Sequence, residues 1–477
     1  MIQAKRASCI TSVQSREPYL FGKDILIGII DSGIDFYHFD FRNADGTTRI
    51  NYLWDQTRKA EETSIFSRED INEALSFSSR EEAYAKVPSR DFSGHGTAVA
   101  GIAAGNGMES EGAQRGVAPE AELIIVKLGN PGTNDFPKTT ELMTGINFCI
   151  EKALEVKRPI AVNISFGNTY GSHTGDSILE TYIQNAASVW KNVICIGSGN
   201  EGASGGHTDL VLGSGEVGEA ELAVGEYDTG ISIQIWKNYA DDAEITLISP
   251  SGESFVIGDK GQGTIQTELS DTKILIFSGS PTPYFAGQEI YISLLPKRDY
   301  IRTGIWRIRI QTGSVSDGTF RLYLPSESAI GRTSRFLLPT PEGSFTIPSA
   351  VQAGISVGAY NSRTDSYADF SGRGFENLSG TIWNKPDIAA PGVGITSTKA
   401  GGGYGEYTGT SFATPFVTGS SALLMEWGIV KGNDPYLYGE KVKAYLIRGA
   451  RKLPGFEVWP NEMVGYGALC VASSLPT

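Results

Sequence analysis

Short, almost wholly apolar runs alternate with helix-like stretches through the first 200 residues. Four runs read as buried strands, at 25–30 (ILIGII), 121–128 (AELIIVKL), 159–166 (PIAVNISF) and 192–197 (NVICIG). Strands covered on both faces are apolar throughout, whereas half-exposed strands alternate. The intervening HGTAVAGIAAG, ELMTGINFCIEKALEVK and ILETYIQNAASVWK are typical of helices. This order predicts an α/β fold, with a doubly wound, mostly parallel sheet and helices on both faces.

A different pattern occupies residues 205–345. Short, strictly alternating segments such as GIWRIRI and TFRLYL recur there, separated by Gly, Ser, Pro and Asp. Segments of this kind are typical of antiparallel sandwiches and jelly rolls. The α/β pattern resumes near AGISVGA. The sequence therefore predicts an α/β domain in two parts, 1–204 and 346–477, with a β-sandwich or jelly-roll domain inserted at 205–345.

The aromatic residues of the inserted module suggest what it does. Trp236, Trp306 and Phe320 mostly alternate as core side chains would. We therefore expect the module to brace the fold, and binding of carbohydrate or protein is the alternative.

Residues 59–88 are rich in Glu, Arg and Ser and read as a solvated, charged insertion. Two capping-box patterns begin at Ser67 and Ser79, each with an acidic residue three positions later. Such patterns predict short surface helices.

Composition and charge narrow the classes of partner. The chain has 477 residues, of which 40% are hydrophobic, so a large core and two or three domains are expected. A formal net charge of −14 argues against nucleic acid, because phosphate binding needs clustered Lys and Arg. No apolar run reaches the roughly 18 residues of a membrane helix, and no signal peptide is visible at the N-terminus. We predict neither a membrane nor a nucleic-acid partner.

The four cysteines, Cys9, Cys149, Cys195 and Cys470, are widely scattered, with no metal-ligand spacing. We expect them to be reduced core residues rather than a disulfide framework. Neither a metal site nor a cofactor is predicted.

Ser411 is a candidate nucleophile in the stretch TGTSFATPFV. Proline is tolerated only in the first turn of a helix, so Pro415 predicts that a helix begins near Ser411. A serine at that junction lies among unpaired backbone N–H groups, where a capping or packing role is the alternative.

A serine nucleophile needs a base, and the base needs a group that holds its tautomer. His95, in DFSGHGTAVAGIAAG, lies between glycines at a predicted helix start. Asp31 directly follows a buried strand. Taken singly, His95 could be structural and Asp31 could cap a turn.

Read together, these contexts resemble the subtilisin-like serine proteases. DSGID, SGHGTAVAGIAAG and GTSFATPFVTG match the three catalytic signatures in the order Asp, His, Ser. RGVAPEAELIIVK, VNISFGN, GSGNEG, YADFSGRG and KPDIAAPGV match supporting segments. The likeness covers most of residues 20–205 and 345–430.

The resemblance implies a role for each matched residue. Ser411 would be the nucleophile, His95 the general base and then acid, and Asp31 the group that orients His95. Asn200, in SGNEG, corresponds to the oxyanion-hole asparagine, which acts beside the Ser411 backbone N–H.

The substrate-binding residues that the resemblance implies are Ser165, Phe166, Gly167, Gly197, Ser198, Gly199 and Glu201. The first three match an edge segment that pairs with an extended peptide. The next three resemble the wall of the pocket for the residue before the scissile bond. Glu201 could favour a basic residue there, or it could be a surface glutamate with no such role.

Two features depart from the family pattern. Only 30 residues precede Asp31, so the chain resembles a mature form whose propeptide is removed or supplied separately. Asp40 aligns with a calcium ligand of some secreted relatives, but NGMESEGAQRG does not resemble the loop that completes that site. We therefore predict no calcium site, and we expect the neighbouring His38 to be structural.

Within the family, IIDSGID, FRNADGTTRI, PSRDFSGHGTAVAGIAAG and the inserted module are similar to the clostridial Csp-type germination subtilases. Active members of that group process the precursor of a spore lytic enzyme, and others are pseudoproteases. The resemblance implies a serine endopeptidase that acts on protein or peptide substrates and is secreted or spore-associated. The first alternative is a pseudoprotease that binds a partner, although Asp31, His95, Ser411 and Asn200 are intact. The second alternative is a transpeptidase that passes the acyl group to an amine.

Overall fold

A computed structural model of the chain describes residues 1–59, 61–129, 137–257, 263–280, 285–327, 329–330, 333–375 and 385–476. In these residues the α-helices are α1 (Ile2–Ala7), α2 (Ile10–Ser15), α3 (Arg68–Leu75), α4 (Arg80–Lys86), α5 (His95–Ala104), α6 (Thr139–Glu155), α7 (Ile178–Ala186), α8 (Thr410–Met425), α9 (Gly439–Arg448) and α10 (Val471–Ser474). Across the parts of the chain so described, every helix is too short or too polar to span a bilayer.

Parallel strands form the centre of the larger sheet. Its first strands are β1 (Leu26–Asp31), β2 (Ile50–Asp55), β3 (Ile65–Ser67), β4 (Glu122–Lys127), β5 (Ile160–Ile164) and β6 (Asn192–Gly197). β1 lies between β4 and β5, parallel to both, and every residue of β1 is buried. The four apolar runs are confirmed as strands, and they are almost wholly apolar because both faces of the sheet are covered.

The inserted module consists of two antiparallel sheets. Its strands are β7 (His207–Val211), β8 (Val217–Val224), β9 (Ile231–Asn238), β10 (Ala243–Ile248), β11 (Ser254–Ile257), β12 (Gly263–Leu269), β13 (Thr272–Ser278), β14 (Gly287–Pro296), β15 (Gly304–Thr312), β16 (Thr319–Tyr323) and β17 (Arg335–Phe336). The sheet orders are β11-β10-β15-β8-β17 and β12-β13-β14-β9-β16-β7. Trp306 and Phe320 lie in the core between them. The predicted sandwich is confirmed, while its boundaries at 205 and 345 stay a prediction.

Trp236 is not a core residue, contrary to the prediction. The apolar side chains of Ile231, Ile233 and Ile235 point into the sandwich core. Since side chains alternate along a strand, Trp236 lies on the opposite face of β9 and is only partly buried. Trp236 is thus offset by one residue along β9 from the side chains that form the core.

The chain returns to the larger sheet after the module. The last strands are β18 (Ile355–Asn361), β19 (Ser366–Tyr367), β20 (Ile388–Pro391), β21 (Ile395–Thr398) and β22 (Tyr404–Tyr407), and the last two form a hairpin. The sheet order is β19-β18-β6-β5-β1-β4-β2-β3, with β20 paired to β18.

Helices cover both faces of this sheet. Side chains on the two faces of β1 enter different cores: Ile27 belongs to the core that includes residues of α5 and α8, and Ile30 belongs to the core that includes residues of α6 and α7. The doubly wound α/β architecture is therefore as predicted.

Cys9 and Cys470 form a disulfide across a sequence separation of 461 residues. The expectation that all four cysteines are reduced is wrong for this pair, because α2 packs against α10 and brings the chain ends together. Cys149 and Cys195 are buried free thiols.

The helices predicted between residues 59 and 88 are α3 and α4. Ser67 and Ser79 each accept a hydrogen bond from the backbone N–H three residues later, as capping residues do. The segment is not simply a solvated insertion, however. Arg80 and the hydroxyl of Tyr84 both bind the buried carboxylate of Asp35, at 2.6 and 2.7 Å. These contacts anchor the segment to the loop that follows β1.

Candidate active site

Asp31 and His95 meet at the carboxyl end of the parallel sheet. Asp31 ends β1 and His95 begins α5. The His95 Nδ1 lies 2.7 Å from an Asp31 Oδ1. The Asp31 side chain is 4% exposed and that of His95 is 33% exposed, so the carboxylate is shielded while the imidazole still reaches solvent. This contact fixes the orientation of the imidazole and leaves Nε2 as the nitrogen that can accept or donate a proton.

The electrostatics favour a charged His95. Burial opposes the imidazolium form, but attraction to Asp31 and their hydrogen bond outweigh it, with a smaller contribution from Asp91. Together these interactions raise the pKa of His95 above its ordinary value. A base with a raised pKa holds a transferred proton more firmly.

Asp91 fixes the start of α5 and was missed by the sequence analysis. Its carboxylate accepts hydrogen bonds from the N–H groups of Gly94 and Thr97, at 2.9 and 2.8 Å. It also accepts one from the hydroxyl of Ser32 at 2.8 Å, and that hydroxyl accepts the N–H of Gly96 at 2.9 Å. A carboxylate four residues before His95, at a helix start, was the signal for this role.

Ser411 lies in the first turn of α8, as predicted. The helix is preceded by Gly409, whose φ of 148° is a conformation that side chains disfavour. In the described part of the chain the Ser411 hydroxyl donates to the carbonyl of Ser165 at 3.3 Å, and the Ser165 hydroxyl donates to the Ser411 carbonyl at 2.9 Å. The ring of Phe412 packs 5.2 Å from that of His95, centroid to centroid. The residue that follows Ser411 therefore contacts His95, while the Ser411 hydroxyl itself binds the Ser165 carbonyl.

Asn200 is exposed just beyond β6 and contacts the residue before Ser411. Its Oδ1 accepts hydrogen bonds from the N–H of Thr410 at 2.9 Å and from the Thr410 hydroxyl at 3.1 Å. With Oδ1 so engaged, Nδ2 is the atom left to donate at the N-terminus of α8. Backbone N–H groups at such a terminus also favour negative charge.

The other predicted binding residues follow the ends of two neighbouring parallel strands, β5 and β6. They are Ser165, Phe166 and Gly167 after β5, Gly197 at the end of β6, and Ser198 and Gly199 after it. The carboxyl ends of these strands open on one edge of the sheet, where open α/β sheets place their ligand crevices.

Thr346 lies between these two segments and was also missed. A Cβ built on Gly167 would lie 2.4 Å from the Thr346 Oγ1, and one on Gly199 would lie 2.4 Å from its Cγ2. The Thr346 N–H donates to the carbonyl of Ser198 at 2.9 Å. The threonine side chain therefore occupies the space between the walls. It lies beyond the inserted module in sequence, so no local signal connected it to the cleft.

Glu201 is engaged with the inserted module. Its Oε2 accepts the N–H of Glu327 at 3.2 Å, and burial raises the pKa of Glu201 above its usual value. Selection of a basic substrate side chain requires an ionised and accessible carboxylate. Glu201 is partly buried, and its role in that selection stays a prediction.

Asp40 and His38 tie two loops together. The Asp40 carboxylate accepts hydrogen bonds from the hydroxyl of Tyr404 at 2.9 Å and from the N–H of Glu109 at 3.0 Å. The His38 Nε2 lies 3.0 Å from the carbonyl of Gly403 and 3.1 Å from a Glu109 carboxylate oxygen. The side chains of Asp40 and His38 are therefore both held by contacts between loops. Asp40 is the residue that the sequence analysis aligned with a calcium ligand of some relatives.

The chain is similar to known proteases over most of its length. A family model for the subtilase family matches residues 22–286 and 340–467. The PII-type proteinase of Lactococcus lactis subsp. cremoris is 24% identical over 89% of this chain and 24% of its own length. The minor extracellular protease Vpr of Bacillus subtilis is 24% identical over 95% of this chain and 52% of its own. The chain thus spans between about a quarter and a half of the length of these relatives.

Comparison with solved structures agrees with the sequence comparison. The CspB protease of Clostridium perfringens is 36% identical, has a TM-score of 0.91, and is matched over 99% of this chain and 97% of its own. Sphericase is 16% identical with a TM-score of 0.52 over 97% of each chain, which supports the fold alone. With the family model matching most of the sequence and a 36% identical structure matching nearly all of it, the chain belongs to the subtilase family of serine proteases.

Proposed function

We propose that this chain is an active serine endopeptidase that hydrolyses peptide bonds of protein substrates. The observation that carries the proposal is the 2.7 Å contact between His95 and Asp31. Ser411 lies in the first turn of the helix whose next residue, Phe412, packs against His95, which supports the same assignment. The Ser411 hydroxyl attacks the scissile carbonyl, and His95 Nε2 takes the hydroxyl proton. Asp31 stabilises the imidazolium that forms.

The negative charge on the carbonyl oxygen needs donors at the moment it develops. We assign the Nδ2 of Asn200 and the backbone N–H of Ser411 as these donors, because the Asn200 Oδ1 already accepts the N–H of Thr410, the residue before Ser411. The tetrahedral intermediate collapses, the amine leaves with the proton from His95, and an acyl-enzyme ester on Ser411 remains. Water, deprotonated by the same imidazole, then attacks the ester and releases the acid.

We further propose that the enzyme prefers a small side chain before the scissile bond. The peptide pairs with the Ser165–Gly167 segment, and its side chain enters between Gly167 and Gly199. Thr346 occupies the base of that space, with its side-chain atoms 2.4 Å from where a Cβ on either glycine would lie. We therefore expect alanine and serine to be accepted there and a phenylalanine ring to be excluded.

The resemblance to the Csp-type subtilases supports a natural role in processing a precursor protein, such as a spore-germination lytic enzyme. A propeptide that is removed or bound as a separate chain belongs to the same proposal. A pseudoprotease that only binds such a partner is the alternative.

Release of peptides from casein by the purified chain tests the proposal. The native chain is expected to cleave it, and Ser411→Ala and His95→Ala are expected to reduce the rate at least 10³-fold. Circular dichroism of each variant shows that it is folded. A folded native chain with no more activity than Ser411→Ala would overturn the proposal and favour the pseudoprotease.

A further inference from the structure

A cavity of about 760 Å³ lies between the inserted module and the α/β part of the chain. One wall is formed by residues between Ser172 and Gln184, in the loop before α7 and on α7 itself, together with Phe345 and Gln352. The opposite wall is the outer face of the module, around β9 and β16. Ligand sites in proteins measure about 300–1,000 Å³ and occur preferentially between domains. The cavity therefore has the size and the position of a binding site.

Trp236 gives the module's wall an aromatic surface. It is displaced to the outer face of β9 by the alternation that buries Ile235, and it lies directly across from Arg321 on β16. The ring of Phe285, another lining residue, is 6.0 Å from that of Trp236, centroid to centroid. Partly buried aromatic side chains on a sheet's outer face form a platform for an apolar ligand surface.

Uncharged hydrogen-bonding groups dominate the rest of the lining. Carboxamides come from Gln184, Asn238 and Gln352, and several Ser and Thr hydroxyls surround them. The Gln184 Oε1 accepts the N–H of Ala353 at 2.9 Å, which fixes that amide and leaves its NH₂ to donate. Amides and hydroxyls offer donors and acceptors side by side.

Side chains of both charges line the cavity, among them the carboxylates of Asp176 and Asp317 and the guanidinium of Arg321. The Lys385 ammonium donates to the Asp387 carboxylate at 2.8 Å, and the Lys237 ammonium donates to the Asp241 carbonyl at 2.6 Å. A strongly anionic or cationic ligand would meet groups of its own sign here and lose hydration without full compensation. The lining thus favours a neutral, polar ligand.

We propose that this cavity binds a short, uncharged saccharide. A sugar ring presents a face of C–H groups that packs on Trp236, and its neighbouring hydroxyls donate and accept at once, as the carboxamides require. Jelly-roll sandwiches also serve as lectin domains, which is an argument from fold analogy alone. This function is separate from peptide-bond hydrolysis and does not depend on it.

Binding of soluble disaccharides tests the proposal. The chain carrying Ser411→Ala, which excludes self-cleavage, is mixed with cellobiose, maltose or N,N′-diacetylchitobiose at millimolar concentration. Saturation-transfer NMR is expected to detect binding of at least one of them, and calorimetry then gives its Kd. Trp236→Leu keeps the apolar volume but removes the ring, so it should weaken binding about tenfold. Tyr300→Leu, an exposed aromatic elsewhere on the module, should leave the Kd unchanged.

Gln352→Leu provides a second variant if Trp236→Leu fails to fold, because Gln352 is an exposed lining residue. It is expected to weaken binding severalfold. The proposal is overturned if none of the three sugars transfers saturation, or if binding is unchanged in these variants. It is also overturned if glycine binds with the same dependence on Trp236 while the sugars do not, since the site then selects a zwitterion with two charged groups rather than an uncharged sugar.

Discussion

Replacing Thr346 by glycine should change which residue the enzyme accepts before the scissile bond. The substitution removes the side chain that lies between Gly167 and Gly199 and opens a slot to the base of the cleft. Thr346 contributes its backbone N–H, and not its side chain, to the bond with the Ser198 carbonyl, so that bond survives. The walls of the pocket are expected to stay in place.

The magnitude follows from the area that a large side chain would bury. Burying a Leu or Phe side chain is worth about 1.5–3 kcal/mol relative to leaving it exposed. At about 1.4 kcal/mol for each factor of ten, kcat/KM for Phe relative to Ala should rise about 10- to 100-fold in Thr346→Gly. Thr346→Ser, which removes only the methyl group, should give a smaller change in the same direction.

Fluorogenic peptides that differ only in Ala, Leu or Phe before the cleaved bond measure these ratios. The native enzyme is expected to favour Ala, and the glycine variant to favour Leu or Phe. A native enzyme that already cleaves the Phe peptide tenfold faster than the Ala peptide would show that Thr346 does not close the pocket. If kcat/KM for the Phe peptide relative to the Ala peptide is unchanged in Thr346→Gly, the same reasoning is also refuted.

Three further predictions concern the proposed site and the chain ends. Asp31→Asn removes the attraction that offsets burial, so the pKa of His95 should fall. Because the base must be neutral, the acid limb of the pH–kcat/KM profile should move to lower pH, with kcat down about 10⁴-fold. Asn200→Ala should lower kcat about 10²–10³-fold with little change in KM, the loss known for subtilisin itself, and steady-state kinetics measure it. Replacing both Cys9 and Cys470 by serine should lower stability by about 2–5 kcal/mol, seen as a lower Tm in thermal unfolding.

Each of the three has a result that contradicts it. An acid limb that stays in place in Asp31→Asn would mean that the carboxylate does not control the titration of His95. A rise in KM alone in Asn200→Ala would indicate a role in ground-state binding rather than in holding the oxyanion. A double serine variant with the native Tm, or a native chain whose Tm does not fall when a reductant is added, would argue against the disulfide as a stabilising link.

Most of the α/β fold was predictable because its strands are buried on both faces. Runs such as 25–30 contain no polar position, and their alternation with helical segments admits few other architectures. The triad candidates were found because each is surrounded by its own local motif. The sandwich was found because its strands alternate strictly.

The errors and omissions share a physical cause, which is that they depend on contacts between distant segments. Cys9 and Cys470 are joined only because α2 packs against α10. Thr346 reaches the cleft from beyond the inserted module, and the pattern around it carries no motif. Trp236 was misplaced because its face depends on the register of a single strand. Asp91 is different, since its place before a helix start was a readable signal that went unused.

Labelling with a fluorophosphonate, followed by peptide mapping, shows whether Ser411 is an activated nucleophile. These reagents phosphonylate a serine only when an adjacent base and oxyanion donors activate it. We expect one adduct, on Ser411, in the native chain and its loss in both Ser411→Ala and His95→Ala. A folded native chain that remains unlabelled, or an adduct on another residue, would contradict an assembled triad.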